Sequence, residues 1–319
     1  MSAPRIVVTD HAFPGVAHEQ ALAARWQTSV VVRQCVSEEE TIEAVAGADI
    51  VFVNFAPVTR RVLQSMSASA VVIRYGIGYD NVDVAAAREL GIRVCNVPDY
   101  GVDTVADHTV ACLLALLRRT GSFTSAVRTA GWLTPADIGP LRGFAQTIVG
   151  LVGTGRIGRA VAARLQPFGF RVVAFDPYVQ ADDLASLGIE ATTFNDVIAR
   201  SHAVSLHAPL TEANRGLMDA ATLAAMPPGS VLVNTSRGGL IDEAALVEAL
   251  RSGHLAGAAL DVFDPEPLAP VSALRELDDV ILTPHVAFYS DSSLDALQRL
   301  ASEEAERALM HEPLRCPIV

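Results

Sequence analysis

Ile148-Val149-Gly150-Leu151-Val152-Gly153-Thr154-Gly155-Arg156-Ile157-Gly158 is the stretch that decides how this chain is read. An apolar run of strand type leads straight into G-x-G-x-x-G at Gly153, Gly155 and Gly158, and a helix-forming run, Arg159 to Phe168, follows at once. The next apolar run, Arg171 to Phe175, ends on an acid, Asp176. Each part has a physical reason in dinucleotide binding. Gly153 permits the tight turn, Gly155 lets the backbone approach a pyrophosphate, and Gly158 lets helix and strand pack closely. Arg156 and Ile157, between the last two glycines, belong to the same cofactor-binding stretch. The helix N-terminus offers amide protons and a positive dipole end to phosphate. Asp176 is placed to accept hydrogen bonds from the adenine-side ribose and would repel a 2′-phosphate, so the expected cofactor is NAD rather than NADP.

Working outward, the 319 residues are enough for two domains, each with its own core. Half the residues are hydrophobic and 19% are charged, the balance of an ordinary globular protein. A formal charge of −12 leaves no basic surplus for nucleic acid. The four cysteines, Cys35, Cys95, Cys112 and Cys316, are scattered, so neither a zinc site nor a disulfide framework is expected, and no metal is assigned. The chain opens on a strand-like run, Arg5 to Thr9, rather than a signal segment, and the apolar stretch Val110 to Leu117 is too short to span a bilayer. A cytoplasmic protein with no membrane partner is the expectation.

Short β-branched runs alternate with helical patterns along the chain, the mark of α/β layers around parallel sheets. Strands are expected at Ile6–Thr9, Val30–Arg33, Ile50–Asn54, Val71–Tyr75 and Arg93–Asn96, with helices at Ala17–Trp26, Glu38–Ala46 and Val82–Leu90 between them. Asn96-Val-Pro-Asp-Tyr-Gly101 breaks this rhythm and reads as a hinge. A long helix, Val105 to Arg119, apolar on nearly every face, is expected to be buried between domains or subunits, and residues 131–146 read as an irregular arm. Six further strands follow at 148–152, 171–175, 203–206, 231–235, 256–260 and 280–283, enough for a complete dinucleotide-binding sheet. The last helix, Ser292 to His311, has no strand after it and is expected to return to the first domain. The fold predicted is α/β, with two Rossmann-like parallel-sheet domains separated by a cleft. Residues 1–98 plus 289–319 form a discontinuous, flavodoxin-like substrate-binding domain, and residues 99–288 form the NAD-binding domain.

Ligands of open α/β sheets bind at the carboxyl ends of strands. Those ends carry His207, Thr235-Ser236-Arg237, Asp261 with Glu266, and His285. An Arg, a Glu and a His at the ends of one sheet suit hydride transfer to or from a 2-hydroxy acid. Arg237 can grip carboxylate and carbonyl oxygens together through its planar fork. His285 can give a proton to the carbonyl oxygen as hydride arrives, or take it in reverse. Glu266 at the far ring nitrogen would favour the imidazolium. Asp261 can accept a hydrogen bond from the nicotinamide carboxamide, and His207 is read as packing on the cofactor edge.

With these residues located, the chain resembles the D-isomer-specific 2-hydroxyacid dehydrogenases, the family of D-3-phosphoglycerate, formate and phosphite dehydrogenases. The motifs that carry the resemblance are Arg74-Tyr-Gly-Ile-Gly-Tyr-Asp-Asn-Val-Asp83, Asp103-Thr-Val-Ala-Asp-His-Thr109, Gly150–Gly158, Val233-Asn-Thr-Ser-Arg-Gly-Gly239, Ala259-Leu-Asp-Val-Phe-Asp-Pro-Glu-Pro267 and Leu282-Thr-Pro-His285. The resemblance implies that Arg237, Glu266 and His285 are catalytic, and that Thr109, His207, Thr235 and Asp261 contact NAD. It also implies that backbone amides of Tyr75-Gly76-Ile77-Gly78 hold the substrate carboxylate. Within the family it points to the C-terminal-binding-protein branch, through residues 74–81, Val97-Pro-Asp-Tyr100, Phe175-Asp-Pro-Tyr178 and His285-Val-Ala-Phe-Tyr-Ser290. Phe288 stands where that branch usually has tryptophan and would wall the substrate side-chain pocket, together with Asn54, Tyr75 and Ile77. No regulatory domain of the longer phosphoglycerate dehydrogenases is expected after Val319. A homodimer built on helix 105–119 and arm 120–146 is expected. The alternatives are an NAD(H)-gated corepressor-like interaction protein and a phosphite-type dehydrogenase.

Overall fold

The computed structural model describes residues 3–138 and 141–319 and divides into two compact units, residues 1–101 with 289–319 and residues 102–288. The first unit opens with β1 (Ile6–Val8), α1 (Ala17–Arg25), β2 (Val30–Val32), α2 (Glu38–Val45) and β3 (Ile50–Val53). It continues through α3 (Arg60–Ser65), β4 (Val71–Arg74), α4 (Val84–Leu90) and β5 (Arg93–Asn96). The five strands are all parallel, in the order β2-β1-β3-β4-β5. This is the flavodoxin-type order, with its switch point between β1 and β3. All four residues of β3 are buried, as a central strand covered on both faces requires. Helix starts follow local capping chemistry. Ser37 and Glu40 form a capping box on α2, and Asp83 accepts from Ala86 N, which starts α4 at Val84 rather than Val82. The sequence reading missed α3, a polar six-residue helix whose apolar face is only Val62 and Leu63.

The second unit begins with α5 (Val102–Arg118), α6 (Thr120–Ala130) and α7 (Pro135–Ile138). Then come β6 (Ile148–Val152), α8 (Arg156–Leu165), β7 (Arg171–Phe175), α9 (Ala181–Ala185) and β8 (Glu190–Ala191). They are followed by α10 (Phe194–Arg200), β9 (Ala203–Leu206), α11 (Ala220–Ala225), β10 (Ser230–Asn234), α12 (Glu243–Arg251), β11 (Leu255–Leu260) and β12 (Val280–Leu282). The sheet order is β12-β11-β10-β9-β6-β7-β8, all parallel. It holds seven strands rather than six. The extra one, β8, is a two-residue edge strand with both residues exposed, so it leaves no apolar run to read.

The arm expected at 120–146 opens with a helix, α6, set off from α5 by Arg119 at φ 52°. Of the stretch 131–146 expected to be irregular, α7 forms a short helix and residues 139–140 lie outside the described residues. Helix α5 is buried against its own domain: Val105, Ala106, Thr109, Val110, Leu113 and Leu116 pack onto α8, β10 and β11. The sheet of one unit is therefore enough to bury its apolar stripe. Among the described residues, no single helix is long and apolar enough to cross a membrane.

The last helix, α13 (Asp291–Leu309), belongs to the first unit and packs on α1, β3 and β4. Its buried stripe runs Leu294, Leu297, Ala301, Ala305 and Ala308, the spacing of one helical face. Beyond it, Arg315 N donates to the buried Glu304, and Ile318 N donates to Val94 O at 2.8 Å, which lays the tail along β5.

Candidate functional site

The sheet of the second unit reverses direction between β6 and β9, and there its glycine loop sits. Gly153 has φ 96°, and a Cβ on it would fall 2.7 Å from the backbone of His207, at the end of β9. Only glycine meets both demands at that turn. A Cβ on Gly158 would strike the carbonyl oxygen of Gly153, whereas one on Gly155 would meet nothing within 4 Å. The loop is thus tight on its protein side and open beside the N-terminus of α8, where Arg156 and Ile157 begin the helix. The residues present fit a dinucleotide pyrophosphate laid on that open side.

Asp176 ends β7 next to this loop, half-buried. Its Oδ2 accepts from Thr154 N (2.7 Å) and Thr154 Oγ1 (2.9 Å), and its Oδ1 accepts from Tyr178 N (3.0 Å). Thr154, which the sequence reading passed over as the filler of G-x-G, is fully buried. The imidazole of His207 pairs through Nε2 with Ser205 Oγ at 2.9 Å, and burial pushes its pKa down to about 4. It is therefore neutral near pH 7. Thr109, wholly buried, donates to Val105 O at 2.7 Å and lies 2.8 Å from Thr235 Oγ1. A hydroxyl has one proton to give, so Thr235 is the donor of the second bond.

The three residues expected to do chemistry come together in this unit. His285 Nδ1 lies 2.8 Å from Glu266 Oε2, while Glu266 Oε1 accepts from Phe263 N at 3.0 Å. Burial raises the carboxyl pKa of Glu266, but the hydrogen bonds from His285 and Phe263 N and the charges of His285 and Arg237 outweigh it and hold the pKa below the ordinary value. Arg237, half-buried, is thereby within electrostatic range of the pair. Its loop is fixed by the fully buried Asn234, whose Nδ2 donates to Arg237 O at 2.8 Å and whose Oδ1 takes Ser236 N and Oγ. The Phe288 ring stands edge-on to the His285 ring, with centroids 6.4 Å apart.

Asp261, 2% exposed at the end of β11, has several partners within the chain. Its backbone oxygen accepts from His285 N (2.7 Å), Oδ1 from Val286 N (2.9 Å) and Thr283 Oγ1 (2.6 Å), and Oδ2 from Ala287 N (2.9 Å). One residue therefore grips three consecutive amides, and His285 is held at φ 53°, a left-handed conformation uncommon outside glycine. Most of the carboxylate capacity of Asp261 is spent on this clamp.

In the first unit, the loop after β4 carries Gly76 at φ 124°, where a Cβ would overlap the Arg74 guanidinium. Gly76 O accepts from Val97 N at 3.1 Å and Ile77 O from Asn96 Nδ2 at 2.6 Å, so the loop is tied to the end of β5. The Tyr75 side chain is not presented to a ligand. It is 1% exposed, stacked on Phe52, edge-on to Phe13, and donates its hydroxyl proton to the buried Glu19 at 2.7 Å. Tyr75 follows directly on β4 with its ring in the core, so only its backbone is open to a ligand. At the switch point of this sheet, Asp10 takes the amides of Asn54 (3.0 Å) and Phe55 (2.5 Å). Among the described residues, no group of three or more His, Cys, Asp or Glu could hold a metal ion.

With this geometry established, the sequence of the D-isomer-specific 2-hydroxyacid dehydrogenase NAD-binding domain matches residues 110–287. The chain belongs to the D-isomer-specific 2-hydroxyacid dehydrogenase family. Its cofactor is NAD. The matched stretch takes in the glycine loop, Asp176, Arg237, Asp261, Glu266 and His285, while Thr109 and Phe288 lie one residue outside it. The chain is 42% identical to a D-3-phosphoglycerate dehydrogenase of Mycobacterium leprae over 83% of its own length and 49% of that protein. It spans about half the length of the curated relatives it matches. Among solved structures of the same fold, the TT0316 protein of Thermus thermophilus is 34% identical, with a TM-score of 0.89 over 99% of this chain and 100% of that one. The D-lactate dehydrogenase of Aquifex aeolicus, solved with NAD and lactic acid, is 26% identical, with a TM-score of 0.86 over 97% and 96%.

Proposed function

We propose that this protein is an NAD-dependent oxidoreductase that interconverts a small D-2-hydroxy acid and the matching 2-oxo acid. The observation that carries the reading is the Glu266–His285 pair, 2.8 Å apart, at the strand ends of the NAD-binding sheet. When bound, NAD supplies the hydride acceptor, and NADH the donor. Glu266 occupies Nδ1 of His285, so proton exchange with the substrate oxygen falls to Nε2. In reduction His285 gives that proton, and the adjacent carboxylate stabilises the imidazolium from which it comes. Arg237 holds the carboxylate and carbonyl oxygens in one plane and draws charge onto the oxygen. Asp261 keeps the histidine in its strained backbone position, and Asp176 receives the ribose. The backbone of Gly76-Ile77-Gly78 takes the substrate carboxylate, and Phe288 borders the substrate side chain.

Within the family we read the chain as nearest the C-terminal-binding-protein branch, on residues 74–81, 97–100, 175–178 and 285–290. A cytoplasmic homodimer is proposed, with half-exposed Val127 and well-exposed Trp132 as apolar surface for the second copy. The test is NADH oxidation against a panel of 2-oxo acids, from glyoxylate and pyruvate to phenylpyruvate and phosphohydroxypyruvate. Saturable turnover of one member, abolished in His285→Ala, supports the reading. NADH binding with no turnover across the panel would overturn it in favour of an NAD-gated interaction protein.

A further inference from the structure

Asp176 reaches the ribose with most of its hydrogen-bonding capacity already committed. An ionised carboxylate offers about four acceptor positions. Three are filled from within the chain: two on Oδ2 by the amide and hydroxyl of Thr154, one on Oδ1 by Tyr178 N. Thr154 itself cannot drift. It is fully buried, and its carbonyl accepts from Arg159 Nε at 2.8 Å, in the first turns of α8. Its branched side chain has few rotamers to choose from.

We infer that Thr154 is the positioning residue that sets coenzyme discrimination. Its hydroxyl fixes the carboxylate of Asp176 so that the remaining Oδ1 position meets a ribose hydroxyl and the negative charge stays where a 2′-phosphate would have to sit. The inference rests on the NAD site read from the glycine loop and Asp176. Two of the three bonds to Asp176 come from backbone amides and survive any side-chain change. The Thr154 hydroxyl is the one contact that a substitution removes, and with it goes one of the three restraints on the carboxylate. A loosened carboxylate loses part of its grip on the ribose and part of its exclusion of phosphate.

The test is the binding of NADH and NADPH to the full chain, followed by the fluorescence of the reduced nicotinamide, without substrate. Thr154→Val keeps the volume and removes the donor. We expect its Kd for NADH to rise about three- to tenfold, as loss of one charge-assisted hydrogen bond predicts, with no rise for NADPH, so the ratio of the two narrows. Thr154→Ser keeps the donor and should keep the ratio; Thr154→Ala serves in place of valine if that variant melts early. In an Asp176→Ala background, Thr154→Val should change nothing further, since its effect runs through the carboxylate. Equal weakening of NADH and NADPH, or an undiminished effect without Asp176, would show that Thr154 only packs the loop and overturn the inference. A parent chain with no preference for NADH would instead overturn the ribose role of Asp176, a separate failure.

Discussion

At the scale of single residues, the chemistry divides between groups that touch substrate and groups that hold them. His285→Ala should retain NADH binding, measured by fluorescence titration, while kcat falls about 10²–10⁴-fold, the usual worth of a positioned acid–base group. Asp261→Ala acts differently. It leaves two buried amides and the Thr283 hydroxyl without their acceptor. Unfolding in denaturant should show about 2–4 kcal/mol of lost stability, and kcat should drop with little change in NADH affinity. That Glu266 and His285 meet was legible in sequence because both lie in long motifs just after β11 and β12. The work of Asp261 was not. Its partners within the chain are amides and a hydroxyl that no side-chain pattern announces. Tyr75 is a related case: its place in a glycine loop suggests a pocket wall, but its ring lies in the core against Phe52 and Phe13.

At the scale of elements, loops are fixed by glycines that cannot be exchanged. Gly76→Ala would place a methyl group on the Arg74 guanidinium at a φ of 124°. Alanine is strained at that φ whatever room Arg74 makes, so the loop must shift, and KM for the oxo acid should rise at least about tenfold while NADH affinity stays unchanged. Paired steady-state kinetics and NADH titration check this split. Strands with continuous β-branched runs, such as β3 and β10, were readable because burial on both faces demands such runs. Edge strand β8 and helix α3 were not, since two exposed residues and a six-residue polar turn carry almost no periodic signal. Helix α5 is legible from its apolar run, but the sequence does not reveal that this run packs on the helix's own sheet and α8.

At the scale of the whole molecule, stability should depend on pH through His207. Its folded pKa lies near 4, against an ordinary value of 6.5. Between these values the unfolded chain takes up a proton that the folded chain refuses, so stability falls as pH drops through this window and is regained above it. The loss amounts to at most about 3 kcal/mol. Denaturant unfolding at several pH values should show this slope, and it should flatten in His207→Gln; an unchanged slope would mean that other groups set it. Sedimentation should give twice the mass of one chain, and Trp132→Asp should shift the population toward single chains.

The split between the two units has a consequence for how the protein is made. The sheet of the first unit is finished early, but the helix that covers β3 and β4, α13, is encoded after the whole second unit. During synthesis the first sheet must wait for roughly 190 residues, about 10–40 s at ordinary rates of elongation. Through that interval one apolar face of β3 and β4 has no cover from α13, and the second unit is complete before that helix is made. The later-encoded domain is therefore the first to mature, and the nascent protein depends most on chaperones during the stretch in which its NAD-binding half is being translated.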